Sequence, residues 1–338
     1  MKKQYKAFLI CLFIATAAVV TVFAVIHLLD YNPRTWTVPG DDKISEMPFE
    51  QELESLDMME NTWETAVPQT RIYSLIKDHF ESPLPEGKTE KKAIVIGYDG
   101  CRVDTFRLIE NSKKSSVKML LDENGQAVFS YCGGVNYPAK NTQDTSTAPG
   151  WCSMLTGEWA DKHNVYGNDQ PKAIEPKTLL ISLVEDKTID SSAFYVSWKG
   201  HFSRNKATYI NEKEYIGKNN INSSFVCAVN DKGTIDNVLD DLNRKDCSDF
   251  IFLTLEFTDH NGHNSGFSLQ NPNYVNAFRN ADATGAEFIE TIKNRENYEN
   301  EDWLIILTTD HGGIEKDHGG PSFEERITFI VSNKEILE

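Results

Sequence analysis

The chain has 338 residues, 40% of them hydrophobic and 25% charged, and its 51 acidic and 34 basic side chains give a formal net charge of −17. This length and composition allow one large or two small domains with a buried core, and they exclude a collagen, a coiled coil and a disordered chain. The negative charge also argues against a nucleic-acid polymer as the main partner, because binding to its phosphates needs clustered lysine and arginine.

The N-terminus has the pattern of a membrane anchor. Residues 1–6 contain three lysines and no acid, and residues 7–29 follow without a charged side chain. An apolar run of this length suits a transmembrane helix of about 20 residues and exceeds the apolar region of a cleavable signal. Small residues at 15–17 resemble a cleavage site, but they lie in the middle of the run. We therefore predict a cytoplasmic tail over 1–6, a single-pass signal anchor over 7–29, and the rest of the chain outside the cytoplasm.

The cysteines that follow the predicted anchor would lie in an oxidising compartment, where disulfides can form. They are Cys101, Cys132, Cys152, Cys227 and Cys247. Their number is odd, so at least one stays free or pairs between chains, and their spacing does not determine a connectivity. None has the CxxC spacing typical of zinc held by thiolates, so a site of that kind is not indicated.

Residues 30–92 form an acidic juxtamembrane segment, with fourteen acidic and seven basic side chains. Within it, apolar residues recur at helical spacing, namely Phe49, Leu53, Leu56, Met59 and Trp63. Such a face predicts an amphipathic helix that packs on the globular body and follows a short stalk.

From residue 93 onward, apolar runs typical of buried strands alternate with helical patterns. Predicted strands cover 93–100, 127–131, 193–198, 249–257, 302–309 and 327–332. Predicted helices cover 102–122, 176–186, 233–244 and 273–294, and another begins at about 149. This alternation is typical of a doubly wound, mostly parallel α/β sheet sandwiched by helices. We predict one domain of this class over 93–338.

Carboxylates follow three of these strands, at the edge where doubly wound sheets bind ligands. The aspartates are Asp99, Asp259 and Asp310, and the histidines close to them in sequence are His263, His311 and His318. Carboxylate and imidazole ligands suit Zn²⁺, and Mn²⁺ or iron would also fit. Six candidates are too many for one tetrahedral site, so the sequence predicts two divalent metal ions. Two such ions can stabilise the attacking and leaving oxygens of a phosphoryl transfer.

A nucleophile for such a reaction is found at the start of the next predicted helix. Ser146 and Thr147 both precede Pro149, which is suited to the first helical turn. A helix N-terminus binds phosphate groups, and a hydroxyl bound to a metal ionises more easily. From these residues alone, either hydroxyl is a candidate.

Four stretches, in this order, resemble the type I phosphodiesterase/nucleotide pyrophosphatase family of the alkaline phosphatase superfamily. They are YDGCR at 98–102, TAPGWCSMLTGEWADKHNVYGN at 147–168, DHNGH at 259–263, and TTDHGG with a later HGG over 308–320. The resemblance implies an alkaline phosphatase-like fold with two metals. One metal would be held by Asp259, His263 and His318, and the other by Asp99, Asp310, His311 and the nucleophile.

The same resemblance implies a role for two further residues. Thr147, two residues before the proline, corresponds to the nucleophile that forms a phospho-threonine intermediate, and Asn168 corresponds to a donor to a phosphoryl oxygen. Family members tend to carry an aromatic residue after the nucleophile and Asn-His after the proline, whereas this chain has Ala148 and Gly150-Trp151. These departures weaken the expectation that a nucleotide base is stacked there.

We therefore expect a membrane-anchored, extracytoplasmic phosphodiesterase that takes small phosphate esters. One alternative is a phosphomonoesterase or sulfatase on the same scaffold, although the Cys/Ser-x-Pro-x-Arg pattern of sulfatases is absent at 147–151. Another is a membrane-anchored binding module without activity. For Arg102, which follows Asp99, the sequence leaves two expectations open: contact with a phosphate, or an ion pair on the protein surface.

Overall fold

The computed structural model describes residues 49–112, 114–135, 139–168, 177–203 and 207–337. The predicted tail over 1–6, the predicted anchor over 7–29 and the predicted stalk lie outside these residues. Among the helices of the described ranges, none combines the length and the apolar character needed to cross a membrane.

An eight-stranded sheet runs through the described part of the chain. Its strands are β1 (Val67–Pro68), β2 (Glu90–Tyr98), β3 (Gln126–Tyr131), β4 (Ser192–Val196), β5 (Ser223–Cys227), β6 (Phe250–Leu255), β7 (Glu301–Thr308) and β8 (Ile327–Ser332). Their order in space is β1-β3-β8-β7-β2-β6-β4-β5. Strand β8 is antiparallel to β3 and β7, and the other neighbouring pairs are parallel. The prediction of a mostly parallel α/β sheet is confirmed.

Helices cover both faces of the sheet. They are α1 (Phe49–Glu54), α2 (Arg71–Glu81), α3 (Ser116–Leu121), α4 (Thr147–Thr156), α5 (Ala160–His163), α6 (Leu179–Glu185), α7 (Ile210–Asn219), α8 (Asp231–Leu242), α9 (Phe257–Ser265), α10 (Pro272–Lys293) and α11 (Phe323–Arg326). Short 3₁₀ helices cover Trp63–Thr65, Val103–Leu108 and Tyr298–Asn300.

The strands are apolar on both sides because each face of the sheet packs against helices. Ile94 and Ile96 of β2 face the cluster that contains residues of α1, α3, α8 and α10. Val95 points the opposite way, into the cluster that contains residues of α2, α4 and α6. The near-continuous apolar run that predicted this strand therefore reflects burial on two sides.

Several predicted elements differ from the observed ones. The helix predicted from the spacing of Phe49 to Trp63 ends at Glu54, where the Ser55 hydroxyl donates to the Glu52 carbonyl and the chain turns. The helix predicted over 102–122 is divided into a 3₁₀ helix and α3, because the Ser115 hydroxyl accepts from the Lys118 N–H and caps a new helix. Helices α2 and α7 and the edge strand β5 were not predicted from the sequence. The apolar patterns of α7 and β5 are weak, whereas α2 buries one regular apolar face.

The cysteines of the described residues form no disulfide: Cys101, Cys132, Cys152, Cys227 and Cys247 carry free thiols. Four of the five are buried, and Cys227 is partly exposed.

Glu212 of α7 holds the start of α6 and makes the stability of this region depend on pH. Its Oε1 accepts a hydrogen bond of 2.9 Å from the Thr178 N–H, and its Oε2 lies 3.0 Å from the Thr178 hydroxyl. Burial raises the pKa of Glu212 from 4.5 to about 7. Between those two pH values, the folded state holds a proton that the unfolded chain has already released. The contribution of Glu212 to the free energy of unfolding therefore decreases as the pH rises from about 4.5 to about 7.

Glutamine at position 212 resembles the protonated side chain, so Glu212→Gln should match the wild type in stability near pH 4.5. Near pH 8 the variant should be more stable, by about 3 kcal/mol, which corresponds to the pKa shift. Chemical denaturation at several pH values measures the difference. Glu214→Gln, an exposed position of the same helix, serves as the control and should show no such pH dependence. A constant difference between Glu212→Gln and wild type across the pH range would contradict the prediction.

Candidate metal centre and nucleophile

Three adjacent strands, β7, β2 and β6, bring the predicted ligands to one edge of the sheet. Asp99 directly follows β2, and Asp310 lies two residues after the end of β7. Strand β6 leads into α9, which carries Asp259 and His263 one turn apart. The Asp99 N–H donates to the Leu255 carbonyl over 2.9 Å, and the Asp259 N–H donates to the backbone carbonyl of Asp99 over 3.0 Å. Backbone hydrogen bonds thus connect these strand ends.

The first ligand set consists of Asp259, His263 and His318, whose ligand atoms lie within 4.8 Å of one another. Both histidine Nε2 atoms are 3.5 Å from Asp259 Oδ1. The opposite ring nitrogens face backbone carbonyls: His263 Nδ1 is 2.9 Å from Lys316 O, and His318 Nδ1 is 3.0 Å from Thr145 O. Because the carbonyls orient both rings through Nδ1, the Nε2 atoms point to the same space as the carboxylate.

The second ligand set consists of Asp99, Asp310 and His311, all buried and likewise within 4.8 Å of one another. His311 Nε2 lies 3.5 Å from Asp99 Oδ1 and 3.4 Å from Asp310 Oδ2. Its Nδ1 faces the Gly312 carbonyl at 2.6 Å, and the Gly100 N–H donates to Asp310 Oδ1 over 3.2 Å. As in the first set, a backbone carbonyl faces Nδ1 of the histidine, and Nε2 points toward carboxylate oxygens.

The two sets are neighbours. The His311 and His318 ring centroids are 4.0 Å apart. Gly100 lies between the sets with a φ of +62°, and a Cβ there would be 2.9 Å from Asp259 Oδ1. A glycine is required at this position both by the left-handed backbone and by the close approach of Asp259.

The chemistry of these side chains fits bound divalent cations. Asp259 Oδ1, Asp310 Oδ2 and His311 Nε2 are buried and have no hydrogen-bond partner among the described residues. Burial and the charge of Asp99 raise the pKa of Asp259 to about 7 and that of Asp310 well above its ordinary value. Buried, unpartnered carboxylates that repel one another are unfavourable unless positive charge compensates them, and metal ions would supply that charge.

Glu256 is a further acidic residue of this region that the sequence analysis missed. One of its carboxylate oxygens lies within 4.8 Å of oxygens of Asp99 and Asp259. Burial and the charge of Asp99 raise the pKa of Glu256 well above its ordinary value. Its position between β6 and the DHNGH stretch is the signal that could have identified it.

Thr147 is the first residue of α4, and its hydroxyl donates to Asp99 Oδ1 over 3.4 Å. Ser146 precedes the helix in an extended conformation, and its buried hydroxyl has no hydrogen-bond partner among the described residues. Asn168 lies beside the same turn, because its Oδ1 accepts from the Ala148 N–H over 2.8 Å. Of the two candidate hydroxyls, that of Thr147 contacts a predicted metal ligand.

Arg102 is part of a buried ion pair rather than a phosphate contact. Its guanidinium donates to both carboxylate oxygens of Asp104, over 3.1 and 2.7 Å, and to the Phe267 carbonyl over 2.8 Å. The aromatic ring of Phe49 packs on the same guanidinium, with 5.0 Å between Arg102 Cζ and the ring centroid. The positive charge of Arg102 is thus used within the fold.

Comparison with known proteins gives one family. Residues 93–321 match the model of the family described as type I phosphodiesterase/nucleotide pyrophosphatase. No curated protein gives a significant match.

Solved structures with similar folds have low sequence identity. An inactive variant of murine ectonucleotide pyrophosphatase/phosphodiesterase 5 in complex with AMP is 17% identical, with a TM-score of 0.46 over 66% of this chain and 57% of that one. The alkaline phosphatase of the Antarctic bacterium TAB5 is 13% identical, with a TM-score of 0.42 over 73% of this chain and 92% of that one. Phosphonoacetate hydrolase from Sinorhizobium meliloti 1021 is 14% identical, with a TM-score of 0.42 over 66% and 56% of the two chains. The matched region therefore spans little more than half of the murine enzyme.

Proposed function

The chain belongs to the type I phosphodiesterase/nucleotide pyrophosphatase family, and on this premise we propose that it hydrolyses small phosphodiesters with Thr147 as the nucleophile. The observation that carries the proposal is the position of the Thr147 hydroxyl. It lies at the N-terminus of a ten-residue helix and 3.4 Å from Asp99 Oδ1, within the second ligand set. The proposal is supported by the proximity of a hydroxyl, a helix N-terminus of the kind that binds phosphate, and a predicted metal ligand.

The two ligand sets would hold divalent cations, of which Zn²⁺ suits the donors best. When bound, such ions neutralise charge on the transferring phosphoryl group and favour ionisation of a nearby hydroxyl. They would also explain how a chain with a net charge of −17 attracts an anionic substrate although Arg102 is engaged with Asp104.

The residues of the chain have separate roles in this reaction. Thr147 Oγ1 loses its proton and forms a bond to phosphorus while the bond from phosphorus to the leaving alcohol breaks; the leaving group takes up a proton, and phospho-threonine remains. Water then attacks phosphorus, and the bond to Oγ1 breaks, which releases a phosphate monoester and restores the Thr147 hydroxyl. The Thr147 hydroxyl donates toward Asp99 Oδ1, so the lone pairs of Oγ1 stay available for the bond to phosphorus. Asn168, whose Oδ1 accepts from the Ala148 N–H, would donate its side-chain amide to a phosphoryl oxygen beside the nucleophile. Burial of Thr147 and Asp99 limits competition from water.

A panel of chromogenic esters tests the substrate class. The full-length protein in detergent, with zinc added, is assayed on bis-p-nitrophenyl phosphate, p-nitrophenyl phosphate, a nucleoside 5′-p-nitrophenyl phosphate and p-nitrophenyl sulfate. We expect the highest kcat/KM with a diester. A preference for the monoester or the sulfate would refute the diesterase proposal in favour of those activities. Absence of turnover on all four, with fewer than two metal ions per chain, would favour a binding module instead.

We also propose that residues 7–29 anchor the protein in a membrane and that the domain over 93–338 lies outside the cytoplasm. The support is the sequence alone, with three lysines before the apolar run and Asp30 after it. Protease treatment of intact cells that express the full chain should digest the domain. Protection of the domain, or its release from membranes by alkaline carbonate, would contradict this topology.

A further inference from the structure

The first turn of α4 packs directly on the second ligand set, and Trp151 lies at the centre of this contact. Its indole Nε1 donates a hydrogen bond of 3.0 Å to Asp99 Oδ2. Thr147, one helical turn earlier, contacts the other oxygen of the same carboxylate, Oδ1. Residues four apart lie on the same face of a helix. A single turn therefore contacts both oxygens of one predicted metal ligand.

The surroundings of the indole hold it in this position. A Cβ at Gly97 of β2 would be 2.4 Å from Trp151 Cη2, so the ring occupies space that any other residue at 97 would fill. Phe252 packs edge-on against the indole at 5.7 Å. A Cβ at Gly150 would be 2.7 Å from Asp310 Cβ, so the glycine at this position lets the helix approach Asp310 closely. The Gly150-Trp151 pair, a departure from the family pattern, thus fits this packing.

We propose that Trp151 is a positioning residue that occupies Asp99 Oδ2 and thereby leaves Oδ1 as the oxygen that binds the second metal beside Thr147. The inference rests on the proposed two-metal site, and it adds which oxygen of Asp99 serves it. A hydrogen bond to the second oxygen of a carboxylate ligand fixes its orientation and favours coordination through one oxygen. His311 Nε2 lies 3.5 Å from the same Oδ1, in agreement with a metal position on that side of the carboxylate.

Trp151→Phe removes the indole N–H and keeps an aromatic ring at this position. We expect the affinity for one of the two metals to fall about 10- to 100-fold, with the other affinity unchanged within about twofold. The kcat for a phosphodiester should fall while KM changes little. Metal affinities are measured by competition with a chromophoric zinc chelator on the full-length protein in detergent.

Trp303→Phe is the matched control. The Trp303 indole also donates to a buried carboxylate, Glu301 Oε2, over 2.7 Å, but at the opposite end of β7 from Asp310. Both variants lose a hydrogen bond from an indole N–H to a carboxylate, so both should lose stability. Only Trp151→Phe should change a metal affinity. Loss of stability without a change in metal affinity in Trp151→Phe would mean that Trp151 acts in packing alone, and would overturn the proposal.

A second measurement follows metal binding in the wild type, so it does not depend on whether a variant still binds metal. The chain has six tryptophans, and labelling with 5-fluorotryptophan gives each a ¹⁹F resonance, assigned by its loss in a single Trp→Phe variant. Zinc titration of the wild type should shift the Trp151 resonance and leave that of Trp303 unchanged. A Trp151 resonance that does not respond would overturn the proposal. The metal-affinity and ¹⁹F measurements use no substrate. Two bound metals with a responding Trp151 but no hydrolysis would therefore refute the proposed function alone, and fewer than two bound metals would refute both proposals.

Discussion

Thr147→Ala is expected to lower kcat/KM for a phosphodiester by at least about 10³-fold, because no other group at this position can form the covalent intermediate. The side chain is small and lies at the first position of α4, so the fold should tolerate the change. Metal content should stay the same within about twofold, since three other side chains contribute to the second set. Initial rates on bis-p-nitrophenyl phosphate, together with zinc analysis of the same preparation, measure both quantities.

Two further variants make the assignment specific. Thr147→Ser keeps a hydroxyl and should retain far more activity than Thr147→Ala. Ser146→Ala removes the neighbouring hydroxyl, which has no hydrogen-bond partner among the described residues, and should leave kcat within about threefold of the wild type. A large loss in Ser146→Ala with retained activity in Thr147→Ala would identify Ser146 as the nucleophile.

The second large effect is expected at Asp310, where activity and metal-free stability should change in opposite directions. Asp310→Asn removes a negative charge from a buried group that faces Asp99 and Asp259, which should lower metal affinity by more than about 100-fold and abolish hydrolysis. Without metal, burial and the charge of Asp99 disfavour the ionised form of Asp310, and asparagine removes this ionisable group. The metal-free variant should therefore be more stable than metal-free wild type, by about 1–3 kcal/mol.

Asparagine suits this position because its Oδ1 can still accept from the Gly100 N–H, as Asp310 does. Its amide nitrogen would stand where Oδ2 lies, 3.4 Å from His311 Nε2. Thermal unfolding with EDTA and with zinc tests both parts: zinc should raise the Tm of the wild type clearly and that of Asp310→Asn much less. Asp246→Asn, with a side chain 92% exposed, is the control and should behave as wild type. Lower metal-free stability in Asp310→Asn would contradict the argument that burial and the charge of Asp99 make the Asp310 carboxylate unfavourable.

Much of the architecture could be predicted from the chain because local patterns reflect burial. Strands such as β2 and β7 are buried on both faces, so their apolar runs are unmistakable. The last strand was predicted within its observed bounds, Ile327–Ser332, but its antiparallel direction was not, since direction depends on the path of the preceding loop. Weakly amphipathic elements such as α7 and the edge strand β5 carried too little signal.

The candidate site was predictable in composition but only partly in arrangement. Polar residues directly after buried strands identified Asp99, Asp259 and Asp310, because the ends of parallel strands share one edge. The choice between Ser146 and Thr147 was left open by the residues themselves. Glu256 was not predicted because it continues an apolar strand and precedes the DHNGH motif rather than belonging to it.

The sequence by itself determined the fold class and the candidate ligands, since hydrophobic periodicity and residue order are local properties of the chain. Tertiary structure alone decided which hydroxyl contacts Asp99, that Arg102 is paired with Asp104 and Phe267, and that Trp151 holds Asp99 Oδ2. These features depend on distances between segments far apart in the chain, such as Gly100 and Asp310, which are 210 residues apart yet share a hydrogen bond. Local patterns record whether a side chain is buried, and only packing determines which atom it contacts.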